Sequence, residues 1–202
     1  MKLLVATTNS GKIREIGAIL EGQVSEPCGL ELLGLNDLQG VSQAEETGTT
    51  FEENALIKAR HCYSLSGIDC VADDSGLEVE ALSGRPGVFS ARYGGPQATD
   101  QDRVSKMLDE LKQVPMTRRG ARFVCVAAFA GSGGEKVFTG YAEGVILTAP
   151  RGGGGFGYDP IFYYEPLGRT FAELTMDEKS RISHRSVAFA QMGLWLAGGR
   201  AG

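Results

Sequence analysis

The stretch FVCVAAFA, residues 123–130, carries eight apolar side chains in a row with no polar interruption. A strand that alternated between core and water would alternate in polarity, so this run from Arg122 to Ala130 predicts a central strand covered on both faces. The tetrad GSGG follows at once and leads into a second long strand-like run, Glu135–Thr148, as expected of a hairpin. Covering both faces of such a sheet calls for helices, and the spacing of apolar residues supplies them. Ile13, Ile16 and Leu20 predict one helix over Ser10–Leu20, and Val104, Met107, Leu108 and Leu111 predict another. Between them, Thr50 and Glu53 form a capping box ahead of a stripe of Phe51, Ala55, Ala59 and Cys62. A final helix is expected from about Ser183, burying Ala188, Phe189, Met192, Trp195 and Leu196. Shorter strand-like runs lie at Lys2–Thr7, Cys70–Ala72 and Leu77–Leu82, so the fold class is mixed α/β.

At 202 residues, 42% hydrophobic and 22% charged, the chain can bury a substantial core as one domain. Its net charge of −5 argues against holding a nucleic-acid backbone, which calls for a basic excess. Any phosphate it handles is then expected on a small molecule. Cys28, Cys62, Cys70 and Cys125 form no C-x-x-C pair, which favours free thiols in a reducing compartment over a zinc site. The opening MKLLVATTNSGK is too short an apolar run for a signal peptide, and no stretch approaches a membrane span. A soluble cytoplasmic protein is expected.

Polar residues concentrate at a few junctions. In ATTNSGK an apolar strand ends in Thr7, Thr8 and Asn9, and Gly11-Lys12 opens a helix. A helix start with a lysine suits an anion, although Ala6 and Ile13 depart from the P-loop pattern and a simply capped helix is the other reading. Glu45 and Glu46 stand just before the second helix, where acidic charge also favours the helix dipole. Asn54 and Lys58 share that helix's inward stripe; the lysine either snorkels to solvent or reaches a cleft. In VADDSG, a turn accounts for one aspartate and leaves the second unexplained. Paired carboxylates at two places suit Mg²⁺, which binds one or two carboxylates together with phosphate oxygens and water.

The loop GGGGFGYDP contains a formal G-x-G-x-x-G match at Gly152, Gly154 and Gly157, but Pro160 follows where a dinucleotide site needs a helix. What remains is a mobile loop bearing Phe156 and Tyr158, able to stack on a base or merely to connect. In MDEKSRISHRSVAF, Lys179, Arg181, His184 and Arg185 gather positive charge near a helix start, where the dipole prefers anions. An anionic ligand removes that conflict; a solvated basic face is the alternative.

Taken in order, TTNSGK, AEETGTTFEENALIKA, ADDSGLEVEALSGRPGVFSARY, GGFGYDPIF and ELTMDEKSRISHR closely resemble the inosine triphosphate pyrophosphatase family over residues 7–185. The resemblance implies an α/β fold with a long twisted mixed β-sheet and helices, two lobes around a central cleft. It also implies one catalytic domain over residues 1–202, usually as a homodimer. It implies hydrolysis of ITP, dITP, XTP and dXTP to the monophosphate and pyrophosphate with Mg²⁺, clearing deaminated purines from the nucleotide pool. Carried over by position, Thr7, Thr8, Asn9, Ser10, Gly11, Lys12, Ser75, Phe156, Gly157, Tyr158, Asp159, Lys179, His184 and Arg185 bind the nucleotide. Asp74 is the proton acceptor, and Mg²⁺ sits at Asp74 and the Glu45-Glu46 pair, with either glutamate as ligand. Arg185 is the expected reader of the base and Phe156 its stacking partner. Two other readings stand beside this one: a house-cleaning pyrophosphatase for other modified nucleotides on a related fold, and a nucleotide-binding module without turnover.

Overall fold

The computed structural model describes residues 1–23 and 29–198; Cys28 lies outside the described residues. The chain opens with strand β1 (Lys2–Val5), helix α1 (Ser10–Glu21) and strand β2 (Glu31–Gly34), followed by helix α2 (Phe51–Ser66) and strand β3 (Cys70–Val79). Helix α3 (Asp100–Glu110) precedes the two long strands β4 (Gly120–Gly131) and β5 (Gly134–Ile146). Short strands β6 (Phe162–Tyr164) and β7 (Arg169–Thr170) come next, then helices α4 (Met176–Ile182) and α5 (His184–Ala197). The described strands form a seven-stranded sheet in the order β2-β1-β3-β4-β5-β6-β7. β1 pairs in parallel with β2 and β3, whereas β5–β6 and β6–β7 are antiparallel, so the sheet is mixed. The apolar β4 is internal, as its composition requires.

Two compact units divide the chain, and each has its own core. The first comprises Met1–Asp74, Cys125–Gly140 and His184–Gly202. Within it, alternation along β1 sends Leu3 and Val5 to one face and Leu4 to the other. Leu3, Val5, Val71, Ala127 and Phe129 meet Ile16 and Leu20 of α1 and Phe189 and Met192 of α5. Leu4 and Cys70 pack with Leu35 and with Cys62 of α2 on the opposite face. Each fully buried Leu, Ile or Phe of this kind contributes roughly 1.5–3 kcal/mol relative to exposure. The second unit comprises Ser75–Val124 and Tyr141–Ser183. Its core joins Leu77 and Val79 of β3, Met107 of α3 and the aromatic cluster Phe123, Phe162 and Phe171. Arg119 is buried there, and its guanidinium donates to the carbonyls of Leu111 and Val114 just past α3 and of Leu147 just past β5, at 2.6–3.0 Å.

Two differences from the sequence expectation bear on function. β3 does not stop at Ala72; it runs through Asp73-Asp74-Ser75-Gly76 to Val79, so the aspartates lie within a strand rather than at a strand–loop junction. The glycine-rich loop is not slack, because Arg151, Gly154, Phe156 and Gly157 each donate a backbone N–H to a partner within the second unit.

Candidate active site

β1 is where the strand order of the first unit reverses: α1 leads to β2 on one side, and α2 leads to β3 on the other. Ligands of open parallel sheets gather beyond the carboxyl ends of strands at such a reversal. Here that place is taken by Thr7–Lys12. Asn9 caps α1 with its side-chain oxygen, accepting from the N–H groups of Gly11 (2.9 Å) and Lys12 (3.1 Å). Thr7 and Thr8 are tied by their carbonyls to Leu35 and Asn36, and the Thr8 hydroxyl accepts from Gln43. Thr8, Asn9, Ser10 and Gly11 stay exposed. A cavity of about 150 Å³ opens here, lined in part by Thr7, Lys12, Gln43, Glu46, Lys58 and Asp73.

Strand alternation separates the two aspartates. Asp73 shares a face with Val71, toward α1 and α5; Asp74 shares the other face with Cys70, toward α2. On its face, Asp73 meets the Lys12 ammonium at 2.7 Å and the Arg185 guanidinium at 3.5 Å, and Arg185 also donates to Glu15 at 3.0 Å. Burial alone raises the Asp73 pKa, but Lys12 and Arg185 outweigh it and hold the carboxyl far below its ordinary value. Asp73 is therefore a fixed anion. Its side chain is 4% exposed, whereas that of Lys12, which also lines the cavity, is 27% exposed.

On the other face, the Lys58 ammonium lies 2.9 Å from Asp74 Oδ1 and 2.8 Å from Glu46 Oε1. Asn54, only 1% exposed, accepts the Gly48 N–H at 2.8 Å and donates toward Asp74 Oδ2 at 3.4 Å. Gly48 has no room for a Cβ, which would come within 2.7 Å of the Asn54 oxygen. Burial pushes the Asp74 pKa up, Lys58 pulls it back, and Glu46 adds a further rise, so the net shift is upward. The two neighbouring carboxyls are thus driven apart, one locked as an anion and one poised to take a proton. Burial lowers the Lys58 pKa, but Asp74 and Glu46 more than offset it.

The fit of a divalent cation rests on that geometry. Two carboxylates already converge on one positive charge, and Mg²⁺ asks for little more than one or two carboxylates when phosphate and water complete its shell. No group of three or more His, Cys, Asp or Glu side chains is arranged for a metal among the described residues. Glu46 stands in the pair, and Glu45 is exposed beside it. The donor set fits Mg²⁺ with a phosphate and does not resemble a closed metal cage.

In the second unit, Asp159 is buried and organises its surroundings. It accepts the Phe156 N–H at 2.9 Å and pairs with the Lys179 ammonium. That ammonium lies 4.8 Å from the Phe156 ring centre. Gly155, at φ +72°, could not carry a Cβ, which would come within 2.0 Å of the Asp159 carboxylate. Phe156 is 64% exposed. Tyr158 is not a second stacking ring: its side chain is buried, with the hydroxyl donating to the Ser90 carbonyl at 2.9 Å. Gly157 donates to Asp100, and Ser75 lies in β3. His184 and Arg185 open α5 and are both buried, so Arg185 belongs to no solvated basic face. Sequence reasoning passed over Asp73 and Glu15 as partners of Arg185; period-two alternation along VADDSG was the available signal.

These features define an α/β protein whose carboxylate–lysine site stands at the reversal of a parallel strand set, equipped for acid–base chemistry beside cations and anions. The chain belongs to the Ham1 family, whose profile matches residues 3–195. It is 48% identical over 190 residues to the dITP/XTP pyrophosphatase of Geobacter sulfurreducens, spanning 94% of this chain and 93% of that one. It is 49% identical to the enzyme of the same name from Shigella flexneri, with 93% of each chain covered. Among solved structures, a HAM1 protein from Coxiella burnetii superposes with a TM-score of 0.90 at 40% identity, covering 98% of this chain and 99% of that one.

Proposed function

We propose that this protein is a nucleoside triphosphate pyrophosphatase that hydrolyses non-standard purine nucleotides, dITP, ITP, XTP and dXTP, to the monophosphate and pyrophosphate. The observation that carries this reading is Asp74: a buried carboxyl with a raised pKa, aimed by Asn54 and Lys58, in a chain nearly half identical to dITP/XTP pyrophosphatases. Residues 1–202 act in this reading as one catalytic domain.

In the reaction, water attacks the α phosphorus, its proton passes to an Asp74 carboxylate oxygen, and pyrophosphate leaves with the electrons of the broken P–O bond. Such displacements need position and charge more than covalent help. Mg²⁺, when bound with the nucleotide, supplies positive charge against the phosphate oxygens. Glu46 and Asp74 are the residues to hold it, with Glu45 as the alternative acidic ligand. Thr7, Thr8, Asn9, Ser10 and Gly11 present hydroxyl, amide and backbone groups to phosphate, and Lys12 faces the anion while staying anchored on Asp73. Lys179, fixed by Asp159, adds a second cation. Ser75, Phe156, Gly157, Tyr158, Asp159, His184 and Arg185 complete the nucleotide contacts, Phe156 through its exposed ring and Tyr158 through its backbone.

Base choice follows from donors and acceptors. Hypoxanthine and xanthine present a 6-oxo group and an N1–H, which adenine reverses; mismatches of this kind discriminate by about 10⁴ or more. Arg185, with five donors and no acceptor, is assigned to the base edge, its direction set by Glu15 and Asp73. Guanine shares the 6-oxo edge and is rejected at its 2-amino group. A cytoplasmic homodimer belongs to the same reading; no described helix is long and apolar enough to cross a membrane.

The test is a panel of triphosphates with Mg²⁺, scored for both pyrophosphate and orthophosphate. dITP, ITP and XTP should release pyrophosphate far faster than ATP or GTP. Preference for a modified pyrimidine or methylated guanine nucleotide would move the substrate class, and absence of turnover would reduce the protein to a binding module.

A further inference from the structure

Lys58 sits where two demands meet. Its ammonium is the positive charge on which Glu46 and Asp74 converge, at 2.8 and 2.9 Å, and its side chain is 15% exposed. The same two carboxylates are those to which the proposed function assigns the divalent cation. An ammonium and a divalent cation brought to the same pair of carboxylates repel each other and compete for their lone pairs. We propose that Lys58 is an exchangeable counter-ion: its ammonium and the divalent cation compete for the Glu46–Asp74 carboxylates, and cation binding displaces it. This rests on the proposed function for the identity of the cation site.

Three features support exchange over a permanent salt bridge. The ammonium is compact and carried on a flexible four-carbon stem, so it moves without disturbing α2, which is anchored separately by Phe51, Ala55, Ala59 and Cys62. Asp74 has a second fixed partner in Asn54, which keeps the carboxylate aimed when the lysine leaves. Lys58 also lines the cavity that Lys12 and Thr7 line, so the displaced ammonium has a polar space beside it. There it meets the chemistry of a polyphosphate, an anion that restores the partner lost to the metal. Metal and polyanion are thereby coupled through one side chain. Coupling works in both directions, and effects of this kind typically amount to about 5–150-fold.

The experiment is calorimetric titration of Mg²⁺ alone into the folded, nucleotide-free protein. Lys58→Gln removes the competing charge and should bind Mg²⁺ at least about tenfold more tightly than the wild type. Lys58→Arg keeps the charge and should bind as weakly as the wild type. Equal or weaker Mg²⁺ binding by Lys58→Gln overturns the proposal. A second measurement needs no variant: Mg²⁺ should raise the rate at which an amine-reactive ester labels Lys58 of the wild type, read by mass spectrometry. An unchanged rate also overturns it. A wild type that releases pyrophosphate in Mg²⁺ while both readouts fail loses only the exchange; a wild type that releases none loses the function itself.

Discussion

Asp73 and Asp74 are bonded neighbours with separate partners. Asp74 answers to Lys58 and Asn54, and Asp73 to Lys12 and Arg185. Replacing Asp74 by Asn keeps its shape and removes its basicity. The expected result is a loss of several orders of magnitude in kcat for pyrophosphate release, with a circular dichroism spectrum like the wild type's. Asp73→Asn acts through stability, because it removes the buried anion shared by Lys12 and Arg185 and leaves Arg185 with Glu15 alone. Removing one partner of a buried pair costs about 3–5 kcal/mol, so denaturant unfolding should show a drop of that order. An Asp73→Asn protein as stable as the wild type would mean that Lys12 and Arg185 do not depend on it. This split was missed in the sequence, although period-two alternation along VADDSG carries it. A run of two acids reads as one site when its backbone is taken for a loop, and the opposite directions emerge only once both residues are placed in a strand.

Helices α2, α3 and α4 all begin with the same device: Thr50 with Glu53, Thr99 with Asp102, and Thr175 with Glu178 form reciprocal caps. Losing the Thr50 hydroxyl in Thr50→Ala should lower stability by about 1 kcal/mol, read from chemical denaturation, since one helix-start N–H loses its acceptor. Gly155→Ala is a harsher change, combining a left-handed backbone with a Cβ driven into Asp159. Asp159 then shifts from under Lys179, so KM for the nucleotide should rise several-fold; an unchanged KM would detach that loop from substrate binding. The α2 helix was readable from its cap and apolar stripe and α3 from its stripe alone; Phe51, Ala55, Ala59, Cys62, Val104, Met107 and Leu111 are buried as expected, whereas Leu108 is only partly buried. β2, β6 and β7 were not anticipated. Runs of two to four residues owe their strand character to their neighbours, as Glu31–Gly34 does to β1 and Arg169–Thr170 to β6. The start of α5 at His184 falls where the final helix was expected, whereas the short α4 before it, Met176–Ile182, was not anticipated.

For the molecule as a whole, electrostatics sets the response to pH and to polyanions. A net charge of −5 with cations committed to internal carboxylates predicts no retention on duplex DNA at physiological salt, measurable by mobility shift. Acid sensitivity follows from Asp73, whose folded pKa lies below its ordinary 3.8. The stability it lends is complete above the unfolded value and drains away as pH falls from about 4 toward the folded value. The wild type and Asp73→Asn should therefore differ most near neutrality and converge in melting temperature in strong acid. The strand carrying these aspartates also limits how such a chain can change in length. Deleting a single residue between Cys70 and Asp73 would carry Asp74 into Asp73's place beside Lys12 and Arg185, and inserting one would carry Asp73 into Asp74's place beside Lys58. Insertions at the Ser132-Gly133 turn carry no such penalty, so tolerance to indels should be high there and absent four residues upstream of Asp74.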